Sequence, residues 1–197
     1  MQITYTFFLL ALFVLSLPIQ ALVAFGIVFT SGFPIFFRQM RGGKNGKPFV
    51  MYKFRTMRTR AEKQQGSLFS KNEANGPVFK IHNDPRFTFL GKFLAHTGLD
   101  ELPQLYNVLI GDMALFGPRP LPMAEAKRLK PWQQARHAIK PGILSPAILT
   151  GKYHEDFDAW MKNDIAYSKK KSFHYDMQLA FRAVKFLQRL LSDEIAD

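Results

Sequence analysis

Two adjacent carboxylates, Asp100 and Glu101, open a segment in which Leu102, Leu105, Tyr106 and Leu109 recur at helical spacing. Pro103 is tolerated only in a first turn and Gly111 suits a helix end, so the spacing predicts a helix starting near Asp100 and closing at Gly111. A pair of acids there is favoured by the helix dipole, and taken alone would be an N-cap with a helpful neighbour. The residues after the helix weigh against so plain a role. Gly111-Asp112-Met113 leads into Phe116-Gly117-Pro118-Arg119-Pro120, where two prolines stiffen the backbone around an arginine. A fixed guanidinium suits a bidentate grip on phosphate. Lys53 and Arg55, alternating with apolar residues, could add further positive charge. Two acids, a fixed arginine and a lysine match a divalent cation with a diphosphate, since Mg²⁺ prefers one or two carboxylates plus substrate phosphates. An anionic Asp is also an established nucleophile toward phosphorus. Residue types and spacing thus support metal-assisted phosphoryl chemistry.

These residues need elements to position them. Pro34–Arg41 and Phe49–Arg55 read as strands joined by a turn over residues 42–47, where Asn45-Gly46 is a strong hairpin signal. The glycines there do not form a phosphate-cradling motif, because Lys47 is followed by Pro48. Residues 59–75 read as loosely helical, Gly76–Ile81 as a short strand and Phe87–His96 as a short helix. His82-Asn83-Asp84-Pro85-Arg86 reads as a turn rather than a metal site. Leu129–Ile139 is basic, contains Trp132, and suits either a head-group surface or an ordinary surface helix. Two amphipathic helices are expected over Glu155–Lys169 and Tyr175–Leu191, with Trp160, Tyr167, Phe181, Val184 and Leu187 packing inward.

The first 37 residues carry no Asp, Glu, Lys, Arg or His. The apolar run Ile3–Phe29 exceeds the roughly 20 residues needed to cross a bilayer. A cleaved leader fits poorly: no positive charge precedes the run, which resumes after Pro18. Pro18 breaks or bends a helix, and Ser16 and Gln20 could satisfy freed backbone groups. The segment either crosses with a kink or enters and returns to the same face. Between Arg38 and Lys63 stand nine basic residues and one acid, Glu62, which places that segment in the cytoplasm and alone favours a kinked span. The chain of 197 residues carries a formal charge of +12, implying an anionic partner: nucleic acid, anionic lipid or phosphorylated substrate. It has no cysteine, which excludes disulfide frameworks and cysteine-based zinc sites.

Phe36-Phe37-Arg38-Gln39, Tyr52-Lys53-Phe54-Arg55-Thr56-Met57, Asp84-Pro85-Arg86, Leu99–Leu109, Gly111-Asp112-Met113 and Gly117-Pro118-Arg119-Pro120 occur in that order. Together they resemble the bacterial sugar transferases, the monotopic phosphoglycosyl transferases, over about residues 18–176. The resemblance implies an α+β, mainly helical fold with a re-entrant N-terminal membrane helix (1–37) kinked at Pro18, a small β-hairpin, and amphipathic interfacial helices in a catalytic domain (38–197). It implies transfer of a phosphosugar from a UDP-sugar to undecaprenyl phosphate, with release of UMP and use of Mg²⁺, through a covalent aspartyl-phosphosugar. Asp100 would be the nucleophile, Glu101 a catalytic and metal-ligating acid beside it, and Arg119 and Lys53 donor-phosphate groups. Asp176 matches a further acidic position of the family and would be a further substrate-binding residue. The implied place is the bacterial inner membrane, with the catalytic domain on its cytoplasmic face and membrane lipid as a partner.

The chain departs from the family pattern at several points. Leu17 precedes the membrane proline, Met1-Gln2 and Tyr5 stand where charged residues are usual, Ala95 replaces an arginine, and Leu144-Ser145-Pro146 replaces Thr-Gly. Ala95 admits one rival reading, a catalytically weak member serving as a binding or scaffold subunit, and the net charge suggests a second, a membrane-tethered nucleic-acid binder. The second rests on charge alone, without a recognised reading element, so nucleic acid is not expected as a partner. A homodimer is left open.

Overall fold

A computed structural model describes residues 2–150 and 155–196. The uncharged N-terminus forms one continuous helix, α1 (Gln2–Ser31), with Pro18 inside it. Among the described residues it is the one helix long and apolar enough to cross a membrane. Proline removes one donor from the ladder, and the polar residues around it are tied locally: Ser16 Oγ donates to the Phe13 carbonyl at 2.6 Å, and Gln20 Nε2 donates to Ser16 Oγ at 2.8 Å. Met1, one of the departures from the family pattern, lies outside the described residues.

Leu9, Ser16 and Ile27 turn toward the rest of the chain and are buried, whereas Phe7, Phe8, Leu15, Leu22, Phe25 and Phe29 are exposed. Leu9 joins Phe49, Met51, Val108 and Met113 in one apolar cluster, and Ile27 joins Phe54 and Leu94 in another. Both halves of α1 therefore rest on the domain. Where the chain leaves α1, the last helical carbonyl and the two that follow it are held by Arg55. Nη2 of Arg55 donates to the carbonyls of Ser31 at 2.8 Å and Gly32 at 2.7 Å, and Nη1 donates to that of Phe33 at 3.2 Å. Arg55 thus caps α1 and does not lend its charge to the acidic pair.

The hairpin forms as the sequence indicates. Strand β1 (Phe36–Gly42) pairs antiparallel with β2 (Pro48–Phe54), and the turn takes a 3₁₀ form at Lys44–Gly46, with Asn45 and Gly46 at positive φ. The register sets Phe37 opposite Lys53, Gln39 opposite Met51 and Arg41 opposite Phe49. Directly opposed residues share a sheet face, so Arg41 and Lys53 stand on the same side.

Helix α2 (Phe89–Thr97) is capped by Thr88, whose hydroxyl accepts from the Gly91 N–H at 3.0 Å. Gly98 (φ +75°) then turns the chain into a 3₁₀ segment, Leu99–Glu101, before α3 (Gln104–Leu109) begins. The helix starts later than the spacing predicted, because Pro103 takes its N-cap position, and the acidic pair sits on the tighter turn ahead of it. Asn107 of α3 closes the outer edge of β2. Its Nδ2 donates to the Val50 carbonyl at 2.7 Å, and its Oδ1 accepts from the Tyr52 N–H at 3.1 Å. One side-chain amide thereby substitutes for a third strand and ties the residue before Lys53 to the helix after Glu101.

The remaining elements are 3₁₀ segments at Ala61–Gln64, Gly66–Lys71, Pro131–Ala138 and Ile148–Thr150, β3 (Ala114–Phe116), α4 (Met123–Ala126), β4 (Gly142–Leu144), α5 (Phe157–Lys170) and α6 (Phe173–Ala196). Strands β3 and β4 pair parallel. Two expectations fail here. Gly76–Ile81 is not a strand: the Asn72 side chain supplies the local hydrogen bonds, donating to Ala74 and Val78 carbonyls and accepting from Ala74 and Lys80 N–H groups. The basic segment around Trp132 is a surface helix of 3₁₀ form: Pro131, Trp132, Gln134, Ala135 and Ala138 are exposed, while Gln133, Arg136 and His137 turn inward and are buried. On α6, Phe181 and Val184 are exposed rather than packed, although Trp160 and Tyr167 of α5 are buried as expected. The side chain of Leu187 lies outside the described residues. The His82–Arg86 turn is as read: Asp84 accepts from Nε of Arg86 at 2.9 Å and Nη2 at 2.6 Å.

Candidate functional site

Asp100 and Glu101 are brought against the hairpin face that carries Lys53. Nζ of Lys53 lies 2.7 Å from Glu101 Oε1 and 3.3 Å from Asp100 Oδ2. Arg119 reaches the same Glu101 oxygen at 3.0 Å. Four of the five expected donor-site residues thus form one cluster, with Glu101 as the shared anion. Asp100 is 6% exposed. Burial pushes its carboxyl above the ordinary range; Lys53 pulls it back, and the neighbouring Glu101 charge pushes it up again. Burial would raise Glu101 too, but Arg119 and Lys53 outweigh it and hold that group at about 2. One acid is therefore locked as an anion by two cations. The other is crowded by its neighbour and stands to gain from any cation arriving with a substrate.

The arginine loop is fixed by more than its prolines. Nearly every carbonyl between Phe116 and Leu121 accepts a hydrogen bond from a different part of the fold. Lys171 Nζ donates to Phe116, the Gly142 N–H to Pro118, Arg136 Nη2 to Arg119, Arg41 Nη1 to Pro120, and the Gly42 N–H to Leu121. Gly117 and Gly142 cross so closely that a Cβ on Gly142 would stand 2.1 Å from the Gly117 nitrogen, so neither position admits a side chain.

Arg41, Glu125, Arg136 and Lys171 did not emerge from sequence reading. Arg41 was detectable, because it alternates in register with the face that carries Lys53. Arg41 is depressed to about 10, first by burial and then by the nearby positive charge of Arg119. Glu125, beside these arginines, is raised by burial to about 7, against the pull of Arg41 and a backbone N–H of Phe79.

The Glu125 shift has a measurable consequence. Its folded pKa lies above its unfolded value, so its contribution to stability is fully present below about pH 4.5 and is lost as pH rises through about 7. Glu125→Gln removes that loss, which amounts to at most about 3 kcal/mol. The melting temperature of the variant is expected to gain on that of the native protein between pH 5 and pH 8. A constant gap across that range would contradict the assignment.

Asp176 stands in a different cluster. It accepts from the Tyr167 hydroxyl at 2.6 Å, and its charge adds to the burial that pushes that phenol up. Lys171, which donates to Phe116 in the arginine loop, also lies over the Tyr167 ring. None of the contacts described for Asp176 reaches the acidic pair.

A family model described as bacterial sugar transferase matches residues 2–189 of this chain, from the start of α1 into α6. The chain belongs to the bacterial sugar transferase family. Among its relatives within that family is the galactosyl transferase CpsE of Streptococcus agalactiae, 41% identical over 78% of this chain and 34% of the relative. Another is the UDP-glucose:undecaprenyl-phosphate glucose-1-phosphate transferase of Escherichia coli, 33% identical over 85% of this chain and 35% of the relative. A third is the uncharacterized sugar transferase EpsL of Bacillus subtilis, 36% identical over 78% of this chain and 70% of the relative. The chain thus spans about a third of the length of the first two sugar transferases and most of the third.

Proposed function

We propose that this chain transfers a phosphosugar from a UDP-sugar to undecaprenyl phosphate and releases UMP. The observation that carries the reading is the placement of Asp100 and Glu101 on one turn, bridged by Lys53, with Glu101 joined to Arg119. The names of the relatives supply the substrate class. In the proposed first step an Asp100 oxygen attacks the sugar-bearing phosphorus. The bond from that phosphorus to the bridging oxygen breaks, and UMP leaves. In the second step a phosphate oxygen of the lipid attacks the same phosphorus. The bond to Asp100 breaks, the free carboxylate returns, and a lipid diphosphosugar is the product. Arg119 and Lys53 would hold donor phosphate oxygens, and Glu101 would keep both cations in place.

A divalent cation fits this arrangement. Asp100 and Glu101 are adjacent carboxylates, and among the described residues no group of three potential ligands exists, so the cation would complete its shell with substrate phosphate and water. Bound Mg²⁺ would neutralise diphosphate charge as it develops. Incubation with a panel of UDP-sugars, undecaprenyl phosphate and Mg²⁺ is expected to release UMP, and chelation is expected to stop it. No UMP from any donor would leave the scaffold reading in place of the enzymatic one.

We further propose that α1 returns to the cytoplasmic face of the inner membrane rather than crossing it. Leu9 and Ile27, about 27 Å apart along a helix, both contact the same domain, which a helix leaving that domain for the opposite leaflet could not do. A cysteine introduced near position 2 is expected to resist an impermeant reagent added outside intact cells. Labelling from outside would establish a span.

A further inference from the structure

Arg136 and Asp164 form an ion pair with side chains 1% and 0% exposed. Nε and Nη2 of Arg136 donate to Asp164 Oδ2 at 3.1 and 2.5 Å, and Nη2 also donates to the Arg119 carbonyl at 2.6 Å. The guanidinium lies over the Trp160 ring, 5.9 Å from its centroid. Burying two charges is costly, and an apolar pair of equal volume often stabilises a core as well or better. Cohesion alone therefore gives a weak account of this pair. Among the hydrogen bonds of the described residues, the one that leaves the pair for the backbone ends on the carbonyl of the arginine expected to grip the donor.

That carbonyl is well chosen. Proline on either side restricts the backbone, and Arg119, preceding Pro120, is confined to extended conformations. The freedom left is rotation about ψ of Arg119, which sets the direction of both the carbonyl and the Cα–Cβ bond relative to the loop. An anchor on the oxygen removes that freedom. The guanidinium stands several bonds away, so a modest backbone rotation would displace it by about an ångström, enough to matter for phosphoryl transfer.

We propose that Arg136, held by Asp164, is a positioning residue for Arg119: it fixes the loop carbonyl so that the Arg119 guanidinium meets Glu101 and the donor diphosphate. The proposal rests on reading Arg119 as a donor-phosphate ligand. Arg136→Lys keeps a charge for Asp164 but loses the planar fork that serves two acceptors at once. Arg136→Met/Asp164→Leu keeps apolar packing and deletes the grip, and serves as the second variant if the first does not fold.

Calorimetric titration with UDP in the presence of Mg²⁺ is the test, in the native and Arg119→Ala backgrounds, with melting temperature measured alongside. A folded variant is expected to bind UDP about tenfold more weakly than the native protein and to cause no further loss once Arg119 is Ala. Native-like UDP affinity in a folded variant, or an equal loss in both backgrounds, would overturn the proposal. If the native chain binds UDP and Arg119→Ala does not weaken it, the reading of Arg119 itself fails.

Discussion

Asp100→Asn is expected to lower UMP release by at least about 10⁴-fold while leaving the protein folded and no less stable than the native chain. The first half follows from the proposed covalent route, since a neutral amide is no nucleophile toward phosphorus. The second follows from the site as built. Asp100 is buried, and burial together with the Glu101 charge opposes its ionisation more than Lys53 relieves it. Removing that charge relieves a cost, and Asn still offers Lys53 an oxygen in the same place. Loss of turnover with a preserved or raised melting temperature is the pattern of a group kept for chemistry at the expense of stability. Loss of both together would place Asp100 among structural residues.

Arg119→Ala is expected to reduce kcat/KM by about 10²- to 10³-fold, the usual effect of deleting one preorganised cation or donor aimed at developing charge. Two consequences separate this from a general loss of fold. Glu101 owes its low pKa to Arg119 before Lys53, so its carboxyl should titrate higher in the variant, and the acid limb of the pH–rate profile should move up with it. Arg119→Lys should recover only part of the activity, because a point charge cannot make a planar two-pronged contact. Full recovery by Lys would show that charge alone suffices.

The acidic pair, Lys53, Arg119, the hairpin and the apolar N-terminus were all legible in the sequence because each depends on local pattern. Alternation and Asn45-Gly46 define the hairpin. Pro118 and Pro120 mark a stiffened arginine. The absence of charge before Arg38 marks a helix long and apolar enough to cross a bilayer. The partners that long-range packing selects escaped. Arg55 and Lys53 are two residues apart and looked equivalent, yet one caps α1 and the other enters the site, because β2 ends between them. Arg136 lay in a basic stretch that suited a lipid surface. Its charge is instead neutralised by Asp164, 28 residues on, a pairing that no local pattern announces. Asn72 likewise replaced a strand expected from apolar residues alone, by offering the backbone bonds that a neighbouring strand would have supplied.

Intact-mass spectrometry of the native chain after incubation with a UDP-sugar and Mg²⁺, without lipid acceptor, tests the central claim most directly. The expected spectrum gains one sugar-phosphate mass, mapped by fragmentation to Asp100 and discharged when undecaprenyl phosphate is added. An adduct that persists in Asp100→Asn, or UMP formation with no adduct at any time point, would contradict it.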